Sequence, residues 1–179
     1  MDSLSRSRIW TMRAVYAGLA LVVIFFHLLP LDTLPRRWAP PDLIVAITFA
    51  WALRRPDFVP PLLVALVMLT ADLMFHRPPG LWAFLVVAGV EYLKGRFEGL
   101  RDASFLGEWA AVFIVLVTIT LLNRTVLGLT GVPQAPLALT LTQMLLTGAI
   151  YPLAVGVSQS LMGVRKLTPG ESDAMGGRA

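Results

Sequence analysis

Asp72 has the setting in this chain that comes closest to chemistry. It lies within the apolar run Met68-Leu69-Thr70-Ala71-Asp72-Leu73-Met74. A carboxylate in such a run costs a few kcal/mol on membrane-insertion scales, so it faces protein, a cavity or a partner group. Two readings follow: a proton or ligand site, or a local cap or ion pair with Arg77 near the end of its helix. His27 and His76 are the only histidines. A metal site needs three or four supported ligands, and His27, His76 and Asp72 meet only if the first and third helices lie side by side. Solvated interface histidines are the simpler reading, and no metal is expected. Glu91 and Lys94 are spaced to pair on one helix face. Asp42 follows Pro40-Pro41 and opens an apolar block, where a carboxylate meets unpaired N–H groups and the positive end of the helix dipole.

The last apolar block carries two stripes. Thr140, Gln143, Thr147 and Tyr151 recur at helical spacing, and with Asn123 they are the candidate interior polar residues. Gly148, Pro152, Gly156 and Ser160 recur every four residues, the pattern that lets another helix approach closely, and Pro152 predicts a kink. With Asp42 and Asp72 these four are candidate structural or partner-binding positions. No glycine-rich phosphate loop is present, nor a serine or histidine with a supporting acid, so no catalytic residue, cofactor or enzymatic activity is expected. Zero cysteines exclude a disulfide framework, a thiolate metal site and a catalytic thiol.

The elements that must position these residues follow from composition. The chain has 179 residues, 56% hydrophobic and 15% charged, whereas soluble domains carry about 25% charged residues. Its apolar residues fall in blocks at 12–29, 42–53, 59–75, 80–93, 105–122 and 136–162. A span needs roughly 20 helical residues. The first, third, fifth and sixth blocks are long enough, and the short second and fourth are re-entrant or enclosed by the others. The expectation is an all-α, multi-pass bundle of about six transmembrane helices over residues 1–166, with a disordered cytoplasmic tail at 167–179. Arg6, Arg8 and Arg13 precede an apolar run with no small-residue cleavage site, which reads as a retained first helix.

Fifteen Lys+Arg against eleven Asp+Glu give a net charge of +4. The basic residues sit at block ends, so membrane orientation explains them better than nucleic acid. Alternating six spans puts Arg6, Arg8, Arg13, Arg54, Arg55, Lys94, Arg96, Arg101, Arg165, Lys166 and Arg178 on one side and Arg36, Arg37, Arg77 and Arg124 on the other. That split, eleven against four, predicts both termini in the cytoplasm. Trp10, Trp38, Trp51, Trp82 and Trp109 lie near block ends, as an aromatic belt requires. Prolines at 40–41, 56 and 78–79 lead toward the next block, where a helix's first turn tolerates them.

Four segments carry a family resemblance: Pro41-Asp42-Leu43, Trp51-Ala52-Leu53-Arg54-Arg55-Pro56, Ala71-Asp72-Leu73 and Arg77-Pro78-Pro79-Gly80-Leu81-Trp82. On these the chain resembles the rod shape-determining MreD proteins of alphaproteobacterial type, from the first helix to Met162. The resemblance implies a six-helix inner-membrane fold similar to the substrate-binding subunits of energy-coupling-factor transporters. It also implies a non-enzymatic scaffold of the cell-elongation complex that supports lateral peptidoglycan synthesis. The implied partners are MreC directly, with MreB, RodA and a class B penicillin-binding protein in the wider assembly. Asp42 and Asp72 fall at the family's recurrent acid positions. The alternative is a small-molecule-binding membrane subunit of a transporter, which needs several convergent polar groups in a pocket.

Overall fold

The computed structural model describes residues 2–29, 39–96 and 104–164, with side chains from residue 6 onward. The expected tail at 167–179, Trp38 and the middle of the loop between the fourth and fifth helices lie outside them. The described residues form six α-helices and no strand: α1 (Asp2–Leu28), α2 (Leu43–Arg54), α3 (Pro61–Met74), α4 (Leu81–Gly95), α5 (Phe105–Leu129) and α6 (Leu137–Met162). A single 3₁₀ turn, Pro56–Phe58, joins α2 to α3.

Helix starts follow the local chemistry. Asp42 caps α2, its carboxylate accepting from Val45 N at 3.2 Å. Prolines 60 and 61 open α3, where a missing N–H loses no intrahelical bond. Gly80 precedes α4 at φ +93°, a left-handed conformation that only glycine takes without a Cβ penalty. Ser104 caps α5 by accepting from Gly107 N.

The helices fall into two length classes. Three are long and apolar enough to cross a membrane: Arg6–Leu28, Phe105–Leu129 and Leu137–Met162, with mean hydropathy 1.9, 2.2 and 1.4. The other three have 12, 14 and 15 residues, which at about 1.5 Å per residue gives only about 18–23 Å. The third block, expected to be long enough to span, is thus a 14-residue helix, because Pro60-Pro61 delays its start and it stops at Met74. The architecture fits an all-α membrane bundle.

The short α2 is the centre. Ten of its twelve residues are buried, and α6, α4 and α1 pack against it, while α3 joins α1 to α4 and α5 joins α4 to α6. Phe49, Trp51 and Leu53 are enclosed among Tyr16, Phe58, Val86, Val90 and Val155 of the same core. The long helices turn apolar side chains outward instead, among them Phe25 and Phe26 of α1, Ile114 of α5 and Leu153 of α6. An apolar outer face suits lipid as solvent.

Two expectations about α2 are corrected here. Trp51 is not part of an interfacial belt: it is fully buried, its ring 5.8 Å from that of Tyr16 and its indole N–H donating to Ser158 Oγ at 2.9 Å. Arg54 is not a loop cation: it is the last residue of α2 and 2% exposed. Both lie on a helix with no solvent face, so neither can behave as its position near the end of an apolar run suggests.

Candidate functional site: two polar centres at the ends of the central helix

The C-terminal end of α2 holds a buried charge pair. Arg54 Nη1 bonds Glu108 Oε1, and the two side chains are 2% and 1% exposed. The Tyr151 hydroxyl donates to the same carboxylate oxygen at 2.6 Å, and Arg54 Nη1 also reaches that hydroxyl at 3.4 Å. Three helices are tied at one point. Taking two charges out of water is costly, and charge-assisted hydrogen bonds offset that cost where geometry allows. The Trp51–Ser158 bond and the Tyr16–Thr48 bond at 2.8 Å extend the polar chain to α6 and α1. At the same end Arg13 Nε donates to Asp57 O at 3.0 Å and Lys94 Nζ to Val59 O at 2.7 Å. Lys94 also pairs with Glu91 at 2.8 Å. These basic side chains thereby satisfy carbonyls of the α2–α3 connection.

The N-terminal end of α2 is different in kind. Asp42 there accepts an ion pair from Arg77 at 3.5 Å, and its own N–H donates to Thr147 Oγ1 at 2.8 Å. Arg77 lies over the rings of Phe75 and Trp82, 5.2 and 5.9 Å from their centroids. The preceding His76 has φ +54°, in the left-handed region where histidine is enriched among non-glycine residues. Beside them opens a cavity of about 270 Å³, lined by the start of α2, the α3–α4 turn, the last turns of α5, the α5–α6 loop and the start of α6. Asn123, Thr140, Gln143 and Thr147 all line it. Thr140 accepts from Arg124 Nη1 at 2.7 Å, and Arg124 also donates to Ala135 O at 3.1 Å.

Asp72 belongs to neither centre. It is fully buried, and its Oδ2 accepts from Gly80 N and Ala83 N, both at 3.2 Å. It therefore caps α4 from the preceding helix, and Arg77 pairs with Asp42 rather than with Asp72. The α3–α4 turn folds back so that the free N–H groups of α4 aim at a carboxylate one helix earlier, where the positive end of the dipole stabilises it. His27 stacks against Phe75 with ring centroids 4.4 Å apart, so α1 and α3 do meet. Even so, among the described residues no three His, Cys, Asp or Glu side chains gather as a metal would need.

The stripes of α6 separate. Thr147 and Tyr151 are buried, and Thr140 and Gln143 face the cavity, so the polar stripe points inward throughout. The small-residue stripe does not. Gly148 is enclosed, with the Phe113 ring 2.5 Å from where a Cβ would stand, and the Trp109 indole donates to its carbonyl at 2.8 Å. Gly156 and Ser160 are exposed, and a Cβ at Gly156 meets nothing within 4 Å. Pro152 lies inside α6, half-buried. The buried face runs through Thr147, Gly148, Tyr151, Val155 and Ser158, drifting away from the strict four-residue repeat as a 3.6-residue helix must.

Sequence reasoning missed Arg54, Glu108 and Ser158. Glu108 carried a usable signal, since it stands in the first turns of an apolar block opened by Ser104. Arg54 and Ser158 carried none, because nothing local distinguishes them from a loop cation and a small polar residue on a helix. Comparison with protein-family models, with curated proteins and with solved structures finds no match to this chain.

Proposed function

We propose that this chain is a non-enzymatic, six-span scaffold of the MreD type in the bacterial inner membrane, with both termini in the cytoplasm. In this reading it binds MreC within the elongation complex that contains MreB, RodA and a class B penicillin-binding protein, and supports lateral peptidoglycan synthesis. One observation carries the reading: the four separated segments on which the resemblance rests form a single connected structure. Asp42 pairs with Arg77, joining the first segment to the fourth. Asp72 caps the helix that follows Gly80, joining the third to the fourth. Trp51 and Arg54 of the second anchor the same central helix that Asp42 opens. Residues that meet in this way serve architecture, as a rigid partner-binding bundle requires.

Co-purification with MreC in mild detergent tests the assembly, with retention of MreC through size exclusion as the expected result. Loss of MreC from a folded, monodisperse chain refutes it. Reporter fusions after Arg55 and after Leu167 should both read cytoplasmic, and a periplasmic signal after Arg55 removes the six-span topology. A second reading, the small-molecule-binding subunit of a transporter, is favoured by the polar cavity beside Asp42. It calls for co-purification with an energy-coupling ATPase in place of MreC.

A further inference from the structure

We propose that the cavity at the N-terminal end of α2 binds an oxyanion, a phosphate or carboxylate, carried on a lipid head group or free. The inference goes beyond the scaffold reading and does not rest on it.

Charge balance in the cavity wall comes first. Its charged side chains are Asp42, Arg77 and Arg124, with His76 beside them. Asp42 is already compensated twice, by Arg77 at 3.5 Å and by the N-terminus of α2, which it caps. Arg124 meets only neutral acceptors, the Ala135 carbonyl and the Thr140 hydroxyl, and forms no ion pair among the described residues. A half-buried guanidinium near the end of α5, fixed by neutral groups, turns toward the cavity a positive charge that has no ion pair among the described residues. Guanidinium forks match carboxylate and phosphate geometry.

The remaining wall fits the same ligand class. Gln143 and Asn123 supply amide donors, and Trp82 has a buried indole N–H without a hydrogen-bond partner. Leu116, Leu127 and Met144 make the rest of the wall apolar. A volume of about 270 Å³ is well above the roughly 10–15 Å³ that one water needs. That accommodates a head group and not a whole lipid. An anionic head with an apolar remainder satisfies both kinds of wall. The head can come from a bilayer lipid or from a free small oxyanion.

The test is calorimetric titration of the full chain in neutral maltoside detergent at fixed ionic strength. The probes are inorganic phosphate, a short-chain phosphatidylglycerol, and the matching diacylglycerol, which lacks the phosphate. Saturable binding of phosphatidylglycerol without binding of diacylglycerol is expected and assigns the head to a lipid. Saturable binding of phosphate alone, or of both phosphate-bearing probes equally, also supports the oxyanion site and assigns it to a free ligand. Arg124→Gln should weaken the dissociation constant by about tenfold or more, as loss of a charge-assisted hydrogen bond does. Met144→Trp, which fills the cavity and leaves Arg124 in place, should do the same. Lys94→Gln at the opposite end should change nothing. Equal binding of diacylglycerol, no saturable binding of any probe, or wild-type binding in the folded Met144→Trp chain overturns the proposal.

Discussion

The two ends of α2 meet the same problem, charged groups within an apolar bundle, and solve it in opposite ways. At the C-terminal end Arg54, Glu108 and Tyr151 close on one another, and the ion-paired side chains are at most 2% exposed. At the N-terminal end Arg77 is 28% exposed against Asp42 at 10%, and a cavity opens beside them. A sealed charge pair fixes helices, because removing either partner takes a buried charge-assisted bond from the other. An open one leaves capacity for a ligand or a partner, because its charges remain reachable. A sealed and an open charge site are therefore separated along one short helix.

Substitutions at the sealed end should give the largest effects. Arg54→Met leaves the Glu108 carboxylate without its guanidinium in a buried site, which costs about 3–5 kcal/mol. Folded yield and detergent thermal stability should both collapse. The double change Arg54→Met with Glu108→Gln should recover a large part of that loss, since the buried carboxylate charge is then removed together with the guanidinium. A single variant as stable as wild type would show that water reaches this centre and would erase the contrast.

The seam between α5 and α6 should respond next. Gly148→Leu drives a side chain into the Phe113 ring and should destabilise by about 1–3 kcal/mol, as overpacking does. Gly156→Leu, eight residues along the same helix, meets open space and should stay within about 0.5 kcal/mol of wild type. Parallel thermal melts of the two variants decide it, and equal losses would mean that the outer face of α6 is itself an interface.

Asp72→Leu should cost a comparable amount, about 2 kcal/mol, through two backbone N–H groups at the start of α4 that lose their acceptor. Asp72→Asn keeps a side-chain oxygen and should retain most of that stability. Chemical or thermal unfolding of the two variants side by side gives the ranking. If Asp72→Leu melts like wild type, water or a neighbour replaces the cap and Asp72 is not needed for the α3–α4 turn. The smallest stability effect belongs to the open end: Arg124→Gln should shift stability by no more than about 0.5 kcal/mol, because its hydrogen bonds go to neutral groups near a cavity. A large loss there would make the open end as structural as the sealed one.

Much of this protein was written locally. The six apolar blocks correspond to the six described helices, and blocks beginning at 80, 105 and 136 match three helix starts within a residue, because caps and turns act over a few residues, whereas the block at 59–75 overran a helix that Pro60-Pro61 starts later. Capping of α2 by Asp42 and the pair between Glu91 and Lys94 were legible for the same reason. What only the tertiary structure decided is which face and which end of each helix is enclosed. Arg54 reads as a loop cation until α5 brings Glu108 to it, 54 positions away in sequence. Gly156 reads as a contact residue until the 3.6-residue pitch turns it outward, and Asp72 finds its two donors only once the α3–α4 turn has closed. A buried charge is tolerable solely through its partners, and those partners come from helices that the sequence separates and packing brings together.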